Sequence, residues 1–370
     1  MKIGIDCRMI KASGIGRYVS NLVENLAKID SENSYILFLQ KKDFESYELP
    51  AANFNKVLAD FPWNSFGEQT KLSKIINKES PDIMHFPHFN VPLFYNKKFI
   101  VTIHDLTVNK YKTARGSKSP GYQFKYLAYK KIIKHAAEKS LKILTLSDFT
   151  KTEIRRHLGI PRENIALTYG GVPKELTTTP ETPGSLEALG VKKPFILYVG
   201  NAYPHKNLER LVEALKYLPD ANCVLVGQKN EFYLKLEEKA KNLNLTDRVI
   251  LTGFVDDGQL VSLYKNAACF AFPSLNEGFG FPALEALEFG LPVASSNASS
   301  LPEVLGDAAL YFDPEDIKDM ARVLKEILTN NTLRKELIEK GFRQVKKFSW
   351  EKMAKETLAV YKEAYKLPTI

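Results

Sequence analysis

Three cysteines in 370 residues leave little sulfur chemistry to consider. Cys7, Cys223 and Cys269 each sit in an apolar, strand-like run without metal-ligand spacing, so buried reduced thiols and a cytosolic compartment are expected. No apolar run approaches the roughly 18 residues of a membrane span. No signal-peptide-like stretch precedes the strand-like opening KIGID. Asp-x-Asp is missing too: Asp256 and Asp257 are adjacent, and Asp313-x-x-Asp316 is too widely spaced. Without that signature, a polyphosphate ligand must be neutralised by the chain's own cations and helix amides, so no metal and no cofactor are expected. Repeats of solenoid length and low-complexity tracts are also absent.

Acid is scarce in the first half. The net charge is +9, but residues 1–185 carry 28 Lys/Arg against 18 Asp/Glu, while the remainder carries 24 against 25. Residues 110–142 hold ten basic residues and one acid, Glu138, interleaved with Tyr111, Tyr122, Phe124, Tyr126 and Tyr129. Such a segment can meet nucleic acid, anionic lipid or an anionic substrate. The aromatics fall at helical spacing and no nucleic-acid module is present, so nucleic acid is not expected as a partner. Peripheral membrane contact through 110–142 is the functional expectation. A solvated helix face with a core stripe is the structural alternative.

Hydrophobic residues make up 44% of the chain, enough for two sizeable cores. Apolar, β-branched runs alternate with helical periodicity throughout. KIGID, YILFL, KVLAD, IMHF, FIVTIHD, KILTLS and IALTYGG fill the first half; PFILYVG, NCVLVG, VILTGF, CFAFPS, PVASSN and ALYF fill the second. Near-continuous apolar strands between helices imply parallel sheets covered on both faces. The expected fold is therefore α/β, with two doubly wound, Rossmann-like domains. Four prolines and several threonines in the stretch 172–194 mark 173–193 as linker, between an N-terminal domain over 1–172 and a C-terminal domain over 194–350. Residues 351–370 form a helix, with Met353, Leu358, Val360 and Tyr361 apolar, expected to return to the N-terminal domain.

Ligands of such sheets bind beyond the carboxyl ends of strands. There NEGFGFPALEALEFG places Glu277 in a loop and Glu285 in the following helix, with Pro282 near the helix start and Gly290 past its end. Gly278 and Gly280 let backbone amides approach a ligand, and a helix N-terminus favours an anion. Two carboxylates flanking one bond would suit a glycosidase, and spacing alone does not exclude it. A glycine-lined loop with carboxylates at its rims suits a hydroxyl-rich diphosphate better. Gly14-x-Gly16 lacks the third glycine of a dinucleotide fingerprint, which makes NAD binding a weak reading.

PSLNEGFGFPALEALEFGLPVASSNASSLPEVLGDAALYFDPED, with Glu277-x7-Glu285, resembles the donor-binding segment of retaining glycosyltransferases of family 4, which have the GT-B fold with two domains facing a central cleft. VTIHDL, LTLSDFTKTEI and YVGNAYPHKNLERLVEAL extend the resemblance over essentially the whole chain. It implies that a hexose passes from a nucleotide sugar to a saccharide or lipid-linked acceptor. Catalytic roles fall on His104 and Glu277 at the donor sugar and on Lys206 at the diphosphate. Donor binding falls on Gly14, Gly16, Arg17, Asn201, Gly227, Phe254, Val255, Gly278, Phe279, Gly280, Leu284 and Glu285, with the last at the ribose. Many relatives carry arginine where this chain has Asn201. HFPHFN and IHDL resemble bacterial mannosyltransferases of surface polysaccharide synthesis, including lipopolysaccharide, which puts GDP-mannose ahead of a UDP-sugar. The alternatives are a sugar-nucleotide epimerase on the same fold and an inactive sugar-nucleotide-binding protein. Both fit the retention of His104, Lys206, Glu277 and Glu285 less well.

Overall fold

The first strand, β1 (Lys2–Asp6), has a glycine at its centre because nothing larger fits. A Cβ on Gly4 would lie 2.6 Å from the sulfur of Met84 and 3.1 Å from the Phe38 ring, on the two neighbouring strands. Around it runs a seven-stranded parallel sheet. Its other members are β2 (Ser34–Leu39), β3 (Phe54–Leu58), β4 (Ile83–Phe86), β5 (Phe99–Thr102), β6 (Ile143–Thr145) and β7 (Ile165–Leu167), in the order β3-β2-β1-β4-β5-β6-β7. The second sheet is also parallel, with six strands: β8 (Phe195–Val199), β9 (Asn222–Val226), β10 (Val249–Gly253), β11 (Cys269–Phe272), β12 (Val293–Ser296) and β13 (Ala309–Phe312). Its order is β10-β9-β8-β11-β12-β13. Each of the thirteen apolar runs read from the sequence forms one of these strands.

The computed structural model describes residues 1–63, 65–111 and 120–368. The chain divides into unit 1 (residues 1–106, 114–170 and 349–370) and unit 2 (107–113 and 171–348), each built on one sheet. Residues 173–193 carry two short helices, Lys174–Thr178 and Ser185–Ala188, packed against helix Asp257–Asn266 of unit 2. Thr182 donates its amide to the Gly258 carbonyl at 3.3 Å, and a Cβ on Gly258 would lie 2.3 Å from the Thr182 hydroxyl. The proline-rich composition therefore marks a docked strap of unit 2 rather than an open connector. Residues 107–111 fall in unit 2 as well, which no local pattern announces.

Helix α1 (Ser13–Ile29) buries Tyr18, Val19, Leu22, Val23 and Leu26, a 3.6-residue stripe, against unit 1. Helix α2 (Phe66–Glu79) starts at Ser65, whose hydroxyl accepts from the Glu68 amide, and buries Leu72 and Ile76. Helix α3 (Pro120–Lys139) buries Ile133, Ala136 and Ala137. In unit 2, α4 (Asp257–Asn266) begins with a capping box between Asp256 and Gln259, and α5 (Phe281–Glu288) begins after Gly280. The last helix, α6 (Trp350–Lys366), packs on α1 with Met353, Val360 and Tyr361 buried, while Leu358 is only partly so. Tyr361 also ties α6 to the sheet. Its hydroxyl lies 2.7 Å from Nδ1 of His85, whose Nε2 lies 2.8 Å from the Thr102 hydroxyl, itself 3.1 Å from Tyr18. Burial, reinforced by His104, pushes the His85 imidazole down to about 3, so this chain of hydrogen bonds is neutral.

The three cysteines are free thiols and buried, and burial raises each above the ordinary thiol range. Among the described residues, no helix is long and apolar enough to cross a membrane.

Candidate functional site

Both sheets reverse their strand order once, and an open α/β sheet offers its binding crevice at that switch point. In unit 2 the reversal lies between β8 and β11, each followed by a loop that the sequence singles out.

The loop after β8 turns through Gly200 at φ +149° and the short turn Pro204–Lys206. Asn207 follows in the left-handed region at φ +61°. Its side-chain amide donates to the carbonyls of Pro273 (3.0 Å) and Pro314 (2.7 Å), while its oxygen accepts from Arg210 at 2.8 Å. The Leu275 amide donates to the His205 carbonyl at 2.7 Å. These bonds stitch the two loops together, and Lys206 consequently meets Glu277, 71 residues away, at 2.7 Å between Nζ and Oε1. Ser274 donates to the same Oε1 at 2.7 Å. The Lys206 and Glu277 side chains keep 14% and 11% of their surface. No described residue donates to Oε2 of Glu277, and only one ammonium proton of Lys206 is engaged. One carboxylate oxygen and two N–H groups thus remain for a ligand.

The Glu277 loop is fixed from behind. Its amide donates to the Ser299 hydroxyl at 3.0 Å, and the Ser300 hydroxyl donates to the carbonyls of Glu277 (3.0 Å) and Phe279 (3.3 Å). Gly280 then begins α5 at φ +104°, where a Cβ would sit 2.9 Å from Leu301 and 3.2 Å from Phe272. Only glycine meets both demands. The Ala283 and Leu284 amides turn back to the Gly280 carbonyl at 3.1 and 3.3 Å.

The remaining expected donor residues divide into lining and packing. The ends of β9 and β10 come together: the Gly227 amide donates to the Gly253 carbonyl at 3.1 Å, and a Cβ on Gly227 would collide with Gly200 O at 2.0 Å. Phe254 beside them is 87% exposed, a bare aromatic face, whereas Val255 is buried. Asn201 is exposed, with its side chain turned back to the Tyr203 amide at 3.3 Å, and supplies no second cation. Phe279 and Leu284 are buried, so their side chains pack rather than line. Glu285 departs furthest from expectation. Its side of α5 faces inward, it is 1% exposed, and Oε2 accepts from Tyr264 at 3.0 Å, so its carboxylate is not displayed at the surface for a ribose.

Unit 1 reverses between β1 and β4. There Arg8 is buried between two carboxylates: Nε and Nη2 donate to Asp6 at 2.8 and 2.7 Å, and Nη2 also donates to Glu68 at 2.7 Å. Burial alone would lower the guanidinium's pKa, but the two carboxylates outweigh it and hold Arg8 above its ordinary value. Trp63, His88 and Asn90 complete a narrow recess of about 10 Å³. The Trp63 ring lies 5.4 Å from His88, which burial pushes down to about 3. His104, after β5, donates Nε2–H to the Pro87 carbonyl at 2.8 Å and stands edge-on to Tyr18 at 5.0 Å. Burial lowers its pKa against the opposing Pro87 carbonyl and Asp105, leaving a neutral imidazole with a lone pair on Nδ1. Gly14 borders open space at the uncapped start of α1, with Arg17 one turn on. Gly16 instead packs against backbone, since its Cβ would lie 2.6 Å from the Ile10 carbonyl oxygen.

The sequence reading passed over Ser274, Asn207 and the Asp6–Arg8–Glu68 group. Asp-Cys-Arg directly after a strand was a usable signal for the first two members of that group. Glu68 carries none.

Family comparison follows the same division of the chain. Residues 12–176 match the model described as Glycosyltransferase Family 4, and residues 187–344 match Glycosyl transferases group 1. The O-antigen chain mannosyltransferase B of Escherichia coli is 30% identical over 292 residues, covering 76% of this chain and 74% of that one. Among solved structures, a sucrose-phosphate synthase from Thermosynechococcus elongatus superposes with TM-score 0.81 at 21% identity over 99% of both chains. Anabaena HepE, solved in complex with UDP-glucose, gives TM-score 0.74 at 17% identity over 98% of this chain and 100% of its own.

Proposed function

Because the chain belongs to glycosyltransferase family 4 and has the GT-B fold, we propose that it moves a hexose from a nucleotide sugar to a saccharide or lipid-linked saccharide acceptor, retaining the anomeric configuration and using no metal ion. The observation that carries this reading is the Lys206–Glu277–Ser274 cluster at the unit 2 switch point. Lys206 would stabilise the departing nucleoside diphosphate as its charge develops. Glu277 Oε2 would accept from a hydroxyl of the donor sugar. The exposed face of Phe254, beside Gly227, suits a stacked base.

With Oε2 of Glu277 given to a sugar hydroxyl and Oε1 to Lys206 and Ser274, this cluster leaves no carboxylate oxygen to act as a covalent nucleophile. That favours departure and attack on one face: the bond from the anomeric carbon to the diphosphate breaks, the acceptor oxygen bonds to that carbon, and the acceptor proton passes to the departing phosphate oxygen. In unit 1, Trp63 offers a ring for a sugar to stack on, with Asp6, Arg8 and Glu68 close by, which suits a saccharide acceptor lying over the recess rather than within it. The printed name of the Escherichia coli relative supports mannose, hence GDP-mannose, and surface polysaccharide as the product. The HepE complex makes a UDP-hexose the second choice.

Helix α3 supports cytoplasmic work at a membrane face. Phe124 and Leu127 are 75% and 65% exposed among Lys125, Lys130, Lys131 and Lys134, while Tyr129 and Ile133 turn inward. Lys112, Arg115 and Lys118, and the side chain of Tyr122, lie outside the described residues. The deciding experiment screens GDP-, UDP- and ADP-sugars by thermal shift, then follows nucleoside diphosphate release and the anomeric proton of the product by NMR. Failure of every donor to bind and turn over would sink the assignment. An epimerised donor would convert it to the epimerase.

A further inference from the structure

At the end of the unit 1 sheet opposite the recess, a second cavity opens beside the amino ends of β5 and β6. Its wall is apolar: Tyr95, Phe99 and Leu141 are buried there, with Tyr95 only 1% exposed. Its rim is cationic, with Lys97 and Lys98 from the segment entering β5 and Lys139 from the end of α3. Among the described residues, no carboxylate lies within ion-pair distance of these three ammonium groups. The neighbouring Glu138 is turned to Lys134 at 3.6 Å. Lys98 spends one proton on the Tyr365 carbonyl at 2.8 Å and keeps two.

Two buried polar atoms in the lining have no hydrogen-bond partner among the described residues: the Tyr95 hydroxyl and Nε2 of His135. A buried hydroxyl without a partner is destabilising, and such an atom calls for an explanation. Three unneutralised cations on the rim of the same cavity supply one. We propose that this cavity is a binding site for a phosphomonoester carried on an apolar body. Lysines act as point charges toward phosphate, and a phosphomonoester at neutral pH brings close to two negative charges and three acceptor oxygens, one of which takes the Tyr95 proton. The apolar wall receives the remainder of the ligand, and the cavity's volume of about 370 Å³ lies within the range of small-molecule sites. This site contains none of the residues assigned to the nucleotide sugar and does not depend on that assignment.

Hexyl phosphate is the soluble probe, titrated calorimetrically. Vesicles of phosphatidylcholine with phosphatidic acid are the lipid probe, followed by co-sedimentation. The parent protein and Lys206→Ala should bind hexyl phosphate equally, whereas the double variant Lys97→Ala/Lys139→Ala should lose at least about tenfold in affinity. Tyr95→Phe should bind more weakly while melting no lower than the parent, a combination that a purely structural hydroxyl would not produce. Hexyl phosphate binding without vesicle binding identifies a soluble source of the phosphate. Vesicle binding lost in the double variant identifies a lipid headgroup. Overturning results are binding unchanged in the double variant, binding lost in Lys206→Ala, or no binding of either probe.

Discussion

Replacing Lys206 with methionine tests the unit 2 site most directly, because the structure gives both its stability cost and its catalytic cost. The side chain retains its length and apolar stem, and only the ammonium is lost. Glu277 then keeps the Ser274 hydroxyl on Oε1 but no cation. Breaking a fully buried ion pair costs about 3–5 kcal/mol. Here 14% and 11% of the two side chains remain exposed and the serine bond survives, so a loss of about 1–3 kcal/mol in unfolding free energy is expected. The catalytic cost is separate. Removing one preorganised donor from a developing oxyanion lowers kcat by about 100- to 1000-fold, or ~2.7–4 kcal/mol. The assay pairs a denaturant titration with nucleoside diphosphate release at saturating donor and acceptor. Turnover within a few-fold of the parent, in a protein destabilised as calculated, would show that Lys206 holds only the loop.

The other expectations are as follows. Glu277→Gln should weaken the intact nucleotide sugar far more than the free nucleoside diphosphate by calorimetry; equal losses would remove Glu277 from the sugar. Gly280→Ala should destabilise by about 2–4 kcal/mol, combining left-handed strain with overlap at Leu301 and Phe272, and a neutral result in a melt would contradict the loop geometry. His85, His88 and His104 all have folded pKa values below the ordinary 6.5, so the unfolded chain takes up protons first. Stability should be full above pH 6.5 and fall as pH drops toward 5 by about 1.4 kcal/mol per unit for each histidine titrated. A flat urea midpoint over that window, or a slope unchanged in His85→Gln, would contradict their burial. Reversing Lys125, Lys130, Lys131 and Lys134 to glutamate should abolish salt-sensitive flotation with anionic vesicles, each lysine contributing about 1 kcal/mol; a parent that never floats refutes the membrane contact.

All thirteen strands were legible in the chain because a short apolar run, often β-branched and bounded by polar or turn-forming residues, is a local signal. The stripe Val19, Leu22, Val23 and Leu26 was equally legible, since helical period is local too. The loop carrying Glu277 could be placed from Pro282 and Gly290 alone, and the family followed from the motif that surrounds it.

What the sequence could not contain is which distant atoms share a contact. Lys206 and Glu277 meet because β8 and β11 are neighbours across a reversal of strand order and because Asn207 bonds to Pro273. Neither fact has a local signature. Glu285 reads as a polar residue on an early helical turn, and only the packing of α5 against Tyr264 turns it inward. Arg8 and Glu68 lie 60 residues apart, and their pairing depends on Ser65 starting α2 where it delivers Glu68 to the end of β1. Period, turn chemistry and charge are properties of neighbouring residues, so the chain itself fixes its elements. The sites arise where strand ends converge, and that convergence is decided only when the sheets assemble.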